Sequence, residues 1–494
     1  MKSKELSNDI VKLKPNKYQE KIYDFVRNGS GNAIVEAVAG SGKTTTLLEC
    51  IKLISDNKSS IFVAFNKAIS EELNKKLKGR KTNAKTLHAL GLGIISKNRV
   101  RKPEVDNDKI NKIVEKRFKH GDVEFKFFLK KTIPMIKATL CEVNIQSVSD
   151  LMVDYNIQGF LDQSVIKIIG EILKESEEMN AVDYGDMIWI PVVYDMVGPE
   201  YDWVFVDETQ DLNKAQFELV KKICNGHTRI IAVGDSRQSI YLFRGADIDS
   251  MKNFKEYFNA EELPLSISYR CPKNVVRLAN EIVPEMEYAE DAIDGIVDKM
   301  ALDDALNDMK EGDLVLCRTN APLVSVAYSL IRMDKKAIIL GRDIGKNLVN
   351  IVDRYKTHSL TELVNKVKNS ISLQNQKIES RQYEKQRMKL MSVIDSHETI
   401  LAISENVSDV SELKHKIKTL FSNKKKGIIC SSVHKAKGLE SDVVYIHNYN
   451  TLMPHPMAVT EKERHQEENI RYVAITRAKK ELHLIIGNPQ DRWS

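Results

Sequence analysis

A chain of 494 residues is too long for one hydrophobic core and implies several domains. Its 42% apolar and 29% charged content exclude a disordered or fibrous protein, and its six cysteines, scattered singly with no CxxC pair, exclude a zinc or iron–sulfur framework. The net charge of +6 permits nucleic acid as a partner without demanding it; with no run of about 18 apolar residues and no apolar leader, a cytoplasmic protein without membrane contact is expected.

Taken in chain order, the first strand-like run is "NAIVEAV", followed directly by "AVAGSGKTTTLLE". The latter fits G-x-x-x-x-G-K-[ST] except that Ala37 stands at the first glycine. Gly40 and Gly42 let the backbone amides of Ala39 to Thr45, Ser41 among them, close around phosphates at a helix N-terminus. Lys43 then reaches the β and γ phosphates, and the Thr44 hydroxyl is placed for Mg²⁺. The runs "SIFVAFN", "DWVFVDE" and "RIIAVGD", alternating with helical patterns such as "KAISEELNKKL" and "KAQFELVKKI", predict a parallel sheet covered by helices.

Residues 99–180 interrupt that alternation and read as helices, with Pro134 marking a bend or break. "DWVFVDETQD" then supplies the carboxylates of a phosphate site: Asp207 to hold the metal through water, Glu208 to orient and deprotonate an attacking water. Next comes "VGDSRQSIYLFRGAD", which sets Gln238, Tyr241, Phe243 and Arg244 just after a core strand. An amide close to the carboxylates and an aromatic five residues on can report on two ligands from one loop; stacking a base on such a ring contributes about 1–3 kcal/mol whatever the sequence.

A second series of strands, "DLVLCRT", "KAIILG", "GIICSSVH", "DVVYIHN" and "ELHLIIG", predicts a second α/β lobe. It is split by residues 346–424, which contain no Gly or Pro; "LQNQKIESRQYEKQRMKLM", polar around most of its circumference, predicts an exposed arm or half of a helical pair packing a narrow stripe. The expected division is 1–98 with 181–262 for the first lobe, 99–180 for its insertion, 263–345 with 425–494 for the second lobe, and 346–424 for the second insertion.

These segments resemble, in order, the motifs of superfamily 1 DNA helicases of the UvrD/Rep type: "KPNKYQEKI", the phosphate loop, "VAFNKAISEEL", "KTLHALG", "AVDYGDMI", "DETQD", "VGDSRQSIYLFRGAD", "LSISYRCPKNVV", "SSVHKAKGLESDVVYI" and "EENIRYVAITRAKKEL". "FNKAI", "VHKAKGLE" and the compact insertions are most similar to the phage-encoded and F-box-type branch. Thr209 and Phe243 depart from residues common in the family, without removing a group the reaction needs.

The resemblance implies two RecA-like P-loop domains, each with a mostly helical insertion, and an ATP- and Mg²⁺-dependent helicase or translocase moving 3′ to 5′ on single-stranded DNA and at single/double-strand junctions. It implies that Gln19 reads adenine, Tyr269 stacks on it, Glu440 approaches the ribose or phosphates, and Gln238 senses the γ-phosphate. Arg270 and Arg477 match the two arginine fingers; Phe65, Asn66, Thr86, His88, Tyr241, Phe243, Arg244 and His434 become the strand contacts. With the catalytic charges split between lobes, hydrolysis requires cleft closure. A bacterial or phage-infected host and a replication, repair or defence partner are compatible with this reading, and the alternative is a DNA-sensing ATPase subunit that switches a partner. With only a short stretch after "ITRA", a fused nuclease domain is not expected.

Overall fold

The computed structural model describes residues 14–155, 157–240, 249–380, 387–405, 407–423 and 426–487. Six strands form the first sheet, in the order Thr82–Thr86, Ser60–Ala64, Trp203–Val206, Arg229–Gly234, Ala33–Ala37 and Glu261–Leu265. Every pairing in it is parallel, with Val35 opposite Val233 and Phe62 opposite Phe205. The strands are short and the four inner ones almost wholly buried, as parallel strands covered on both faces must be. Because they run the same way, everything that follows them in sequence emerges at one edge: the phosphate loop, Phe65, Thr86, Asp207 and Asp235. That edge is where a ligand site belongs.

A second sheet of seven strands is also parallel throughout, in the order Ile296–Met300, Ala478–Ile485, Ser441–Ile446, Leu314–Cys317, Ile428–Ser432, Ala337–Leu340 and Phe421–Ser422. The helix Glu461–Ile475 leads into its strand Ala478–Ile485 and is capped at its start by Thr460 and Glu463, each side chain serving the other's backbone amide. The model is therefore α/β, with two parallel sheets, consistent with two RecA-like helicase domains.

Several expectations shift. Residues 263–265, assigned from sequence to the second lobe, complete the sixth strand of the first sheet beside Ala33–Ala37. Pro134 neither breaks nor ends its helix, which runs from Val123 to Thr139; its neighbours Ile133 and Ile136 are wholly buried, and that packing outweighs the missing N–H. The stretch expected to be helical insertion also carries strands: Glu104–Val105 pairs with Ala181–Val182, and Phe421–Ser422 joins the edge of the second sheet. The helices Leu360–Glu379 and Arg387–Ser404 pack as a pair, with a narrow stripe of Leu363, Val367 and Ile378 buried on the former. Leu363, Val367, Ile400, Ile403, Leu413 and Ile417 belong to the same apolar core as Val315, Cys317, Ile339 and Cys430 of the sheet, so this segment is a layer of the second lobe rather than a free arm.

Helices Lys109–Arg117, Val123–Thr139 and Gln163–Glu178 have their own core around Ile113, Phe128, Ile133 and Ile169. It encloses a charge cluster. Lys137 Nζ donates to Asp186 Oδ1 at 2.7 Å and to Asp183 Oδ2 at 3.1 Å, while Lys109 pairs with Asp186 and donates to the carbonyls of Ser176 and Ala181. Burial alone would raise the Asp186 carboxyl, but the two lysines hold it below its ordinary range. Its contribution to stability is thus present above the unfolded carboxylate value and lost as pH falls through the folded one. Asp186→Ala removes the one carboxylate paired with buried Lys109 and leaves Lys137 only Asp183, and is expected to cost about 3–5 kcal/mol. Urea unfolding checks this; a loss below about 1 kcal/mol would mean the pair behaves as a solvated surface bridge.

Candidate functional site

At the carboxyl edge of the first sheet lies a cavity of about 350 Å³ that both halves of the chain line. The phosphate loop contributes Gly40 to Thr45, the strand exits contribute Phe65, Asn66, Glu208, Asp211 and Gln238, and the far half contributes Arg270, Lys437, Gly438 and Arg477. Gly40 and Gly42 adopt φ of +73° and +83°, the left-handed region that a side chain resists. Gly40 is constrained twice, since a Cβ there would lie 2.4 Å from the Cβ of Arg270. The glycine is what lets the arginine-bearing segment approach the loop. Helix Lys43–Leu53 has no side-chain cap, so its first-turn amides stay available to an anion, and the buried Ser41 hydroxyl beside them has no partner among the described residues.

Thr44 Oγ1 donates to Asp207 Oδ2 at 2.7 Å. Burial, reinforced by neighbouring Glu208, pushes the Asp207 carboxyl up to about 7. Hydroxyl and carboxylate oxygens side by side are hard donors suited to magnesium, so the residues present fit a magnesium nucleotide. Glu208 sits at φ +54°, an unusual backbone for a side-chain-bearing residue. Burial would raise its carboxyl too, but Lys43, Lys437 and Arg477 pull it below the ordinary range, keeping it ionised. A relay runs away from it: Gln210 Nε2 donates to Glu208 Oε2, Asp235 N donates to Gln210 Oε1 at 2.9 Å, and Gln238 Nε2 donates to Asp235 Oδ2.

Arg477 is 1% exposed, and its Nη2 lies 3.5 Å from Gln238 Oε1. Burial, followed by repulsion from Arg270, lowers its guanidinium to about 10, a cation held where an anion would relieve it. Arg270 Nε donates at 2.7 Å to Glu440, which thereby stands beside Arg270 rather than lining the cavity. Gln19 and Tyr269 lie together outside the lining, joined through Asn16: Asn16 N donates to Gln19 Oε1 at 3.1 Å, and Asn16 Nδ2 to Tyr269 Oη at 2.8 Å. The Gln19 amide group also donates to Thr46 Oγ1, and Tyr269 N donates to the Gly40 carbonyl at 2.9 Å. The pair is thus fixed to the phosphate loop.

The expected strand contacts do not converge in the same way. Phe65, 48% exposed, and Asn66 line the nucleotide cavity itself, and Asn66 also caps the helix Lys67–Lys76. Thr86 caps the helix Leu87–Asn98, His88 packs edge-on against Tyr184 with ring centroids 5.3 Å apart, and His434 lies on the short helix Val433–Ala436. Tyr241, Phe243 and Arg244 lie outside the described residues.

Sequence reasoning overlooked several groups. Lys437 Nζ donates to Asp211 and, at 2.7 Å, to the Gln238 carbonyl, joining the halves across the cleft. Ala39 N donates to Tyr472 Oη at 2.9 Å, tying the phosphate loop to helix Glu461–Ile475. Each lies inside a stretch already singled out, "VHKAKGLE", "DETQD" or "EENIRYVAITRA"; the motif was visible, but which of its side chains crosses the cleft was not.

Comparison with known proteins follows the same division. Residues 16–259 match the UvrD/REP helicase N-terminal domain, and residues 342–488 match the UvrD-like helicase C-terminal domain. The ATP-dependent DNA helicase PcrA of Bacillus subtilis (strain 168) is 35% identical over 134 residues, 25% of this chain and 18% of that protein. PcrA of Staphylococcus epidermidis (strain ATCC 12228 / FDA PCI 1200) is 26% identical over 286 residues, 53% of this chain and 39% of that protein. The chain thus spans well under two thirds of these relatives' lengths. The solved helicase nonstructural protein 10 of an arterivirus aligns over 94% of this chain and 61% of its own, at 12% identity and a TM-score of 0.36, too loose a likeness to carry an inference. Matches to both halves of one helicase architecture, together with a phosphate loop and arginines facing one cavity, establish that this chain belongs to the UvrD/Rep helicase family, in superfamily 1.

Proposed function

We propose that the chain is an ATP-dependent DNA helicase or translocase that moves on single-stranded DNA in the 3′ to 5′ direction and acts at single/double-strand junctions. The observation that carries this reading is the meeting of Arg270 and Arg477 with Lys43 and Glu208 in one cavity between the two sheets. Positive charge from the second half faces the place where a γ-phosphate would lie, which is what phosphoryl transfer needs. The proposed first lobe comprises 1–98 and 181 through the strand ending at Leu265, with the helices of 99–180 inserted into it; the rest forms the second lobe.

Bound magnesium ATP supplies the phosphoanhydride whose hydrolysis drives movement. The chain's own groups hold and orient it. Amides of Gly40 to Thr45 and the Lys43 ammonium would bind phosphate oxygens, the Ala39 amide expected to join them being taken up by Tyr472 Oη, and Thr44 with Asp207 would hold the metal. Gln19 and Tyr269 take the adenine. Glu208, kept ionised by the surrounding cations, accepts the proton of the attacking water, while Gln238, linked to it through Asp235 and Gln210, positions that water and meets Arg477. Phe65, Asn66, Thr86, His88, Tyr241, Phe243, Arg244, His434 and the loops around them form the proposed track. The names of the PcrA relatives, ATP-dependent DNA helicases, support the choice of DNA.

Lys43→Ala and Glu208→Gln are expected to abolish single-strand-stimulated phosphate release, Glu208→Gln while retaining nucleotide binding; hydrolysis that DNA fails to stimulate in the unmodified protein would sink the helicase reading. Arg477→Ala is expected to lower kcat by about 10³-fold or more with little change in nucleotide affinity, as for removal of an arginine finger. Strand separation on 3′-tailed, 5′-tailed and RNA-tailed duplexes checks direction and track, and DNA-stimulated hydrolysis without separation of any of them would point to a switch subunit instead.

A further inference from the structure

Helix Glu461–Ile475 does more than carry the chain to Arg477. Asn469, in its middle, is wholly buried, and its Nδ2 donates to the carbonyl of Ser239 at 3.1 Å and to that of Ser236 at 3.4 Å. Its Oδ1 has no partner among the described residues, so the side chain is retained for its donors. Almost one turn earlier, Gln466 Nε2 donates to the carbonyl of Ile240 at 3.4 Å. Lys437 covers the carbonyl between them, that of Gln238, at 2.7 Å. Side chains of the second half thus hold the backbone of the turn from Ser236 to Ile240. The first half grips it from the other side: Ser236 N donates to Glu36 Oε1 at 2.8 Å, and Arg237 N donates to Asp235 Oδ1 at 3.1 Å.

We propose that Asn469, supported by Gln466, is a positioning residue that transmits the nucleotide state of the cavity to the turn Ser236–Ile240, and through it to the single-strand-binding residues that follow in sequence. This rests on the helicase reading above. The physical basis is the shared helix. Tyr472, one turn after Asn469, receives the Ala39 amide of the phosphate loop, and Arg477 follows the helix end into the cavity. Any movement of that helix on closure therefore displaces the turn by the same hydrogen bonds. Asn469 itself does not line the cavity, so its loss leaves the phosphate-binding groups in place. An apolar residue there would take the Asn469 donor from the buried Ser239 carbonyl, while the Ser236 carbonyl would keep only the Ser239 amide at 3.3 Å, which explains why an amide is buried at that position.

The test is linkage between two ligands. Affinity for a fluorescent single-stranded oligonucleotide is measured by anisotropy with and without a non-hydrolysable ATP analogue, for the unmodified protein, Asn469→Ala, Asn469→Asp and Gln466→Ala, the last at a partly exposed position that the fold tolerates. The unmodified protein is expected to show a ratio between the two affinities of roughly 5–150-fold. In Asn469→Ala that ratio collapses towards unity while analogue affinity and DNA-independent hydrolysis persist, in Asn469→Asp it collapses at least as far, and in Gln466→Ala it falls partway. An unchanged ratio in both Asn469 variants and in Gln466→Ala overturns the proposal. So does equal weakening of DNA binding in both states, the mark of a merely structural residue. No ratio in the unmodified protein, with no DNA-stimulated hydrolysis, overturns the helicase reading itself and this inference with it.

Discussion

The constraint on which the rest of the molecule depends is the balance of buried charge at the mouth of the first sheet. Asp207, Asp211 and Asp235, with little access to water, lie close to half-buried Glu208 at the cavity. Burial drives Asp207 up to about 7 and Asp211 up to about 6. Such a group of carboxylates is tolerable only beside cations, and Lys43, Lys437 and Arg477 supply them from opposite halves of the chain. Neither half is electrostatically complete alone. The same arrangement that makes the cavity fit a magnesium triphosphate would leave buried carboxylates without their cations if the halves separated, so one set of charges serves both packing and chemistry.

How far this was legible from sequence depended on whether the signal was local. The phosphate loop, the Asp207–Glu208 pair and the alternation of short apolar runs with amphipathic helices are encoded within a few residues each, and parallel pairing then carries them to one edge without further information. Lys437 and Tyr472 are a different matter. Their partners, Asp211 and Ala39, are hundreds of positions away, and only the packing of the two halves decides which residue of a motif reaches across. Pro134 illustrates the opposite case: of the bend or break expected there, the break does not occur, with Ile133 and Ile136 buried on either side. The segment 346–424 was legible as half of a helical pair packing a narrow stripe, but not that Leu363 and Val367 of that stripe insert into the same core as the sheet strands.

That shared core changes what the second helical segment is. Asp395, on helix Arg387–Ser404, accepts from the backbone amides of Asn320 and Ala321, anchoring the start of helix Ala321–Arg332. Beside it Arg318, leaving strand Leu314–Cys317, forms a paired contact with Glu467 of helix Glu461–Ile475, at 2.7–3.1 Å. Removing either partner would leave a desolvated charge, so the segment and the arginine-bearing helix are keyed to each other through the loop after one strand. A segment bound in this way moves with the second lobe.

Rigidity on that side and strain on the other fit together. Glu208 is held in a left-handed backbone that costs of order 1 kcal/mol for a residue with a side chain, and it persists because Asp207, Gln210 and the turn Thr209–Asp211 over-determine it. Gln210 then passes that fixed geometry to the Asp235 amide, and Asp235 to Gln238. The first half therefore presents an inflexible reading frame of carboxylate, amide and carboxamide, and the second half offers a rigid helix bearing Asn469, Tyr472 and, just past its end, Arg477. Two stiff bodies that meet through directional hydrogen bonds have few intermediate arrangements available, because a bond to a buried carbonyl is made or lost over about an ångström. A cleft built in this way favours discrete states over graded motion.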